Sequence, residues 1–203
     1  TFHLESLWTV LADNAWFSFL VYLMVFDGIQ YVVHRAQHRV GWWWSLHALH
    51  HSQRQMTLWT DNRNHMLDDV LRDLIFVAVA LLIGIPPGQY VTVVAVTQLS
   101  ESLQHANLRW WFGAWGERLW ISPRFHRMHH SVGLGHESKG PQTLGGCNFG
   151  VLLPWWDIAL GTANFEWRFD PTGVRDQVEA GRNYGRGFWQ QQWLGLLRLL
   201  GKA

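Results

Sequence analysis

Apolar positions gather in two long stretches. The first runs from Trp16 to Val33 (WFSFLVYLMVFDGIQYVV). As a helix rising about 1.5 Å per residue it would reach roughly 27 Å, close to the hydrocarbon thickness of a bilayer. Asp27 and Gln30 interrupt its second half, and charge at that depth is costly unless it faces a polar site. A buried helix of a soluble protein is the competing reading. The second stretch runs from Val70 to Leu99 and is broken by Gly84 and by Pro86-Pro87-Gly88, a strong stop-and-turn signal. Its arms, LIFVAVALLIGI and YVTVVAVTQL, are each short for an independent span. The pattern therefore predicts a helical hairpin that enters and leaves the membrane on one side. The density of Val and Thr after the turn leaves a buried strand pair as the alternative. Helices are favoured because Gln98, Glu101 and His105 follow at helical spacing.

Composition narrows the class. Only 15% of the 203 residues are charged and 48% are apolar, against about 25% charged in soluble domains. The near balance of 16 Lys+Arg and 15 Asp+Glu argues against a nucleic-acid binder. A single cysteine, Cys147, excludes an intramolecular disulfide framework and a cysteine-based zinc or iron–sulfur site. No secretory signal is legible: the chain starts at Thr1 without a basic n-region, and further upstream residues are expected. Tryptophans at 42–44, 110–111, 115, 120 and 155–156 suit a membrane–water boundary. Arginines such as Arg35, Arg39, Arg109 and Arg127 fall beyond the same helix ends, which makes that face cytoplasmic by the positive-inside rule. Scarce lysine beside abundant arginine points to a GC-rich bacterial genome and so to an inner membrane.

Histidine changes the picture most. Three of the clusters are His34-Arg-Ala-Gln-His38, His47-Ala-Leu-His50-His51 and His126-Arg-Met-His129-His130. On a helix, residues three or four apart share a face, so each cluster aims its imidazoles at one region. Converging imidazoles imply a metal such as iron, zinc or copper. His105, where the hairpin returns to this face, reads as a ninth ligand. Nine imidazoles exceed the needs of one ion and suit two ions with four or five ligands each. Glu101, one turn earlier, either orients His105, binds metal or pairs with an arginine. His65 and His136 belong to no paired cluster, and His3 is assigned no role. The expected architecture is all-α: an integral membrane helical protein with a cytoplasmic-side helical cap carrying the histidine clusters.

With these motifs the chain resembles the fatty acid hydroxylase/sterol desaturase superfamily, whose hallmark is HxxxH, HxxHH and HxxHH around a membrane di-iron site. DGIQYVVHRAQH (Asp27 to His38) resembles the first box, and SPRFHRMHH (Ser122 to His130) the last. Asn148-Phe149-Gly150 with Trp156-Asp157 through Gly161-Thr162 resembles the tail that follows. The likeness covers about 21–162 within a single domain expected over 1–203, and 163–203 reads as an amphipathic C-terminal segment. It implies two iron ions, O2 as co-substrate, and hydroxylation or desaturation at a C–H bond of a lipid or other apolar substrate. No catalytic residue beyond the metal site is implied. Electrons would come from a separate donor protein, because no cytochrome or reductase domain is fused. Asp27, Asn148 and Asp157 are the candidates to accept imidazole N–H bonds around the metals; for Asp157 a helix cap or an arginine partner is the alternative. The chain departs from the family in a long Gly-rich stretch, Gly133 to Gly146, which suggests a mobile loop at an entrance, and in Asn62 to Asp69, which fits no one subfamily. Two other readings of the ligands are a metal-dependent hydrolase of membrane lipids and a non-enzymatic membrane metal-binding protein.

Overall fold

Asn14 accepts the Phe17 N–H through its side chain and starts α1, a 25-residue helix from Ala15 to Arg39. Val40 is extended, and α2 (Gly41–His51) follows at once. The next long helix, α3 (Met66–Ile83), is capped by His65, whose Nδ1 accepts the Leu67 N–H. Gly84 closes α3 in the left-handed region at φ 69°, the conformation glycine adopts without a Cβ penalty. Pro86 is extended and Pro87 opens α4 (Pro87–His105), a position where its missing N–H costs nothing. Short helices follow: α5 (Gly113–Gly116), α6 (Pro123–His129), α7 (Trp155–Ala159) and α8 (Arg175–Glu179), then α9 (Phe188–Leu199). These elements belong to a computed structural model that describes residues 13–132 and 146–203. Among the described residues there are no strands beyond one isolated bridge, Ser131 to Thr172. The region after Pro86 is thus helical, and the strand-pair alternative falls.

The long helices share one apolar core. Tyr22, Phe26 and Val33 of α1 pack with Trp43 of α2, Phe76 of α3 and Val93 of α4. Leu74, Leu81 and Leu82 of α3 and Val91 and Leu99 of α4 are exposed. Among the described residues, α1 alone is long and apolar enough to cross a membrane. α3 does not qualify because Asp68, Asp69, Arg72 and Asp73 crowd its first half.

In the C-terminal segment, α9 is amphipathic with its polar side inward. Gln192, Gly195 and Arg198 are buried while Phe188, Trp189 and Trp193 face out. Gln192 ties α9 to the start of α3, since its carbonyl accepts from His65 Nε2 and its side chain accepts the Met66 N–H. That accounts for His65, buried as a cap and a clasp. His3, His136 and the Gly-rich stretch up to residue 145 lie outside the described residues.

Candidate metal centre

The helix ends converge on one point. His34 and His38 lie one turn apart near the end of α1, with ring centroids 5.2 Å apart. α2 ends in His47, His50 and His51, α4 ends in His105, and α6 presents His126 and His129 with His130 directly after it. Ser122 caps α6 and Pro123 occupies its first turn, so a helix of only seven residues holds His126 and His129 in register, with His130 at its C-cap. A buried ion pair between Arg124 and Glu117 at 2.9 Å anchors that helix to the preceding segment. All nine imidazoles are buried.

Their nitrogens fall into two groups. Those of His34, His38, His47 and His51 lie within 4.8 Å of one another, as do those of His50, His105, His126 and His130. His51, His129 and His130 form a third, overlapping set that joins the two. The spacing suits coordination. Two nitrogens each about 2.1 Å from one ion stand about 3.0 Å apart at a right angle and about 3.4 Å apart at the tetrahedral angle. The Nε2 atoms of His105 and His50 are 3.1 Å apart, those of His126 and His105 3.2 Å, and those of His130 and His126 3.1 Å. In the other group His38 Nε2 and His51 Nε2 are 3.1 Å apart.

Tautomers follow from the outer partners. His34 Nδ1 donates to the Phe149 carbonyl at 2.9 Å, His129 Nδ1 to the Cys147 carbonyl at 2.7 Å, and His105 Nδ1 to the Glu101 carbonyl at 2.8 Å. His47 Nδ1 donates to Asp68 Oδ2 at 2.9 Å. Carbonyl and carboxylate oxygens only accept, so each of these rings carries its proton on Nδ1 and turns a bare Nε2 inward. For His47 and His129 that Nε2 is buried with no hydrogen-bond partner among the described residues. Burial, reinforced by neighbouring imidazoles, holds His50, His126, His129 and His130 well below the ordinary imidazole range. Neutral rings with inward lone pairs and orphaned nitrogens are what a bound cation requires. Cys147 belongs to none of these ligand groups, and burial pushes its thiol up to about 12.

The supporting carboxylates differ from expectation. Asp27 accepts from the Leu152 N–H at 2.8 Å and the Trp156 indole N–H at 2.9 Å, and among the described residues it accepts from no imidazole. Asp157 accepts from the Phe149 and Gly150 N–H groups at 2.8 and 2.7 Å and from Thr162 at 2.6 Å, so it is neither a helix cap nor an arginine's hydrogen-bond partner. Asn148, at φ 58°, donates to the carbonyls of Phe125 and Asn164 and accepts the Asn164 N–H. The physical reason is the loop at residues 148–152, whose buried N–H groups need acceptors and take both carboxylates. The three residues therefore act on the histidines at one remove, by fixing the loop whose Phe149 carbonyl holds His34. Glu101 reaches His105 through its backbone carbonyl, and its carboxylate belongs to none of the three ligand groups.

Asp68 is the residue that sequence reasoning missed. It accepts from His47 on one oxygen and from Gln37 (2.6 Å) and Trp43 (2.7 Å) on the other. The available signal was a carboxylate cluster opening an otherwise apolar helix. Asp61 was also missed: its Oδ1 lies 3.5 Å from His105 Nδ1, while Gln98 and Ser102 donate to its Oδ2.

The position of Asp27 sets an expected result. Asp27→Asn keeps the volume but turns an amide NH2 toward a buried donor, so thermal unfolding should show a loss of about 1–3 kcal/mol. Metal content should change less than stability does. Wild-type stability with metal lost would contradict the loop-anchoring role.

A cavity of about 50 Å³ opens against His34, His47, His50, His105 and His126. Gln30, Arg72, Phe76 and Glu101 line it and also line a mainly apolar cavity of about 260 Å³ between α1, α3 and α4.

The family model described as fatty acid hydroxylase matches residues 19–162. The chain is 30% identical over 146 residues to the ornithine lipid hydroxylase OlsE of Rhizobium tropici, covering 72% of this chain and 41% of that protein. It is 26% identical over 167 residues to the alkylglycerol monooxygenase of Caenorhabditis elegans, covering 81% and 31%. It is 23% identical over 184 residues to the fatty acid hydroxylase vlmA of a Lecanicillium species, covering 81% and 48%. The chain thus spans less than half the length of each of these relatives. No solved structure matches.

Proposed function

Because the chain belongs to the fatty acid hydroxylase family, we propose that it is a membrane-bound, O2-dependent di-iron hydroxylase or desaturase acting on a C–H bond of a lipid. The observation that carries this reading is the buried double group of imidazoles with bare Nε2 atoms turned inward. His34, His38, His47, His51 and His129 would hold one iron, and His50, His105, His126 and His130 the other. Two irons bound there supply O2 activation and oxidation of an unactivated C–H bond. The protein's own work is to fix the ligand rings, exclude bulk water and align one carbon. Phe149, Cys147, Glu101 and Asp68 fix the rings. The cavity of about 260 Å³, bounded by Phe26, Phe76, Val77 and Val93, takes an apolar chain, and it shares Gln30, Arg72, Phe76 and Glu101 with the cavity against the histidines. Electrons come from a separate donor protein. Exposed Leu74, Leu81 and Leu82 and the outward tryptophans of α9 support insertion in a bilayer. The bilayer proposed is a bacterial inner membrane, with the metal site on its cytoplasmic side by the arginine pattern alone.

Isotope labelling tests this. Iron-loaded protein in lipid nanodiscs, supplied with a reductant and a lipid extract, should form a hydroxylated or unsaturated lipid only when O2 is present. A hydroxyl oxygen should carry the label of heavy-isotope O2. Lipid cleaved at an acyl bond without O2, with the oxygen drawn from water, would place the protein among metal-dependent hydrolases instead.

A further inference from the structure

Away from the metal centre, α2 and α9 enclose a cavity of about 160 Å³ that none of the nine imidazoles lines. Trp44, Ser45 and Ala48 of α2, Arg198 of α9, and Arg182 and Tyr184 of the preceding segment form most of its wall. A void of roughly 150 Å³ admits a guest the size of benzene, but the lining here is mainly polar. Arg198 is buried, with 7% exposure. Its Nε donates to the Ser45 carbonyl at 3.2 Å, and the Tyr184 ring covers one face of the guanidinium, 4.3 Å from its carbon. Nη1 and Nη2 are buried with no hydrogen-bond partner among the described residues. Asp176, the acid that attracts Arg198, is already taken up by Arg182 at 2.7 Å and by the Tyr184 hydroxyl at 3.0 Å. Arg182 adds a second cation to the wall, and Arg63 repels Arg198 from beyond it. A buried guanidinium with both outer nitrogens open is costly unless an anion answers it.

We propose that this cavity is an oxyanion site in which Arg198 and Arg182 clasp a phosphate group, that of an anionic lipid headgroup or of free phosphate. The Nη1–Nη2 fork of Arg198 matches two phosphate oxygens, and a third oxygen is left for Arg182. The depth of the cavity favours the headgroup. α1 ends at Arg39 and α2 begins at Gly41, so Trp44 and Ser45 lie within two turns of the end of the candidate membrane helix. With α1 in the bilayer as proposed above, the cavity stands at the level of the headgroups. Exposed Trp42, Trp189 and Trp193 suit the same layer. A bound phosphate ties α9 to α2 and holds the C-terminal helix against the bilayer surface. A choline group would bring a third cation to Arg182 and Arg198, so glycerol-headed phospholipids are preferred to choline-headed ones. The clasp uses no histidine, and its test needs no turnover.

The test places the full chain in nanodiscs of phosphatidylcholine, alone or with a minor share of phosphatidylglycerol. Native mass spectrometry reads the lipid each chain retains, and thermal unfolding reads the response. Phosphatidylglycerol should be retained about ten-fold in preference to phosphatidylcholine, and Arg198→Gln should erase that preference. Arg198→Lys keeps the charge without the fork and should lose only part of it. Phosphatidylglycerol should also raise the unfolding temperature of the wild type and leave that of Arg198→Gln unmoved. An arginine that merely holds α9 in place would give a variant that unfolds earlier by the same amount in both lipids, and that result would overturn the proposal. Arg182→Gln, at an exposed position, should weaken retention and carries the test if the Arg198 variants do not fold. Inorganic phosphate added in detergent, with ionic strength matched by chloride, separates the two sources. Phosphatidylglycerol retained while phosphate has no effect upholds the site as a headgroup clasp. Phosphate that raises the unfolding temperature of the wild type alone, with no lipid retained, upholds it as a site for the free anion. Equal retention of both lipids with no response to phosphate would overturn it, as would a preference indifferent to both arginines.

Discussion

His51→Ala is expected to abolish turnover and to lower the bound metal at both ligand groups. His51 is fully buried, stands 3.1 Å from His38 through Nε2 and stacks on His130 at 4.2 Å. It also belongs to the group of His34, His38 and His47 and to the set shared with His129 and His130. With two ions bound as proposed, removing it would take a ligand from one and a wall from the other. Alanine at His34, His38, His47, His50, His126, His129 or His130 should likewise end activity, with metal loss centred on the group concerned. Alanine at His65 marks the contrast. That residue caps α3 and clasps Gln192, so its loss should cost about 1 kcal/mol of stability while metal content holds. Metal analysis alongside turnover decides each case: any one of the eight box variants that keeps full turnover and full metal is not a ligand.

Asp68→Asn should lower activity or metal affinity by about 10- to 100-fold in a protein that still folds. The carboxylate accepts from His47 Nδ1 on one side and from Gln37 and Trp43 on the other. Asparagine fills the same space and its carbonyl can still serve Gln37 and Trp43. Its NH2 then faces His47 Nδ1 and requires that nitrogen to accept. The proton moves to Nε2, the atom turned toward the metal, and the ring stops being a ligand. Thermal unfolding, metal stoichiometry and kinetics on one preparation read the effect. Wild-type metal content in the folded variant would contradict the tautomer argument.

Much of this was legible in the residues. The HxxxH and HxxHH spacings put imidazoles on common helix faces, and His105 was placed by the return of the hairpin signalled at Pro86-Pro87-Gly88. The helices at both apolar stretches follow from periodicity and from recognisable stops at Gly84 and Pro87. The partners of the carboxylates were not legible. Asp27 shares a face with His34, but the choice between an imidazole N–H and the Leu152 N–H depends on where a loop more than a hundred residues later returns. Asp68 was hidden for a similar reason: its three donors come from α1 and α2, and nothing in its own segment names them. Backbone acceptors such as the carbonyls of Phe149 and Cys147 carry no side-chain signature at all. The inward polar face of α9 also reversed the usual rule, because its apolar side is left exposed.

The central claim is that these imidazoles hold two ions side by side. Anomalous scattering at the iron edge from crystals of the iron-loaded protein tests it most directly. Two peaks a few ångströms apart are expected, one ringed by nitrogens of His34, His38, His47, His51 and His129 and the other by nitrogens of His50, His105, His126 and His130. A single peak, or peaks bound mainly by carboxylates, would contradict the account.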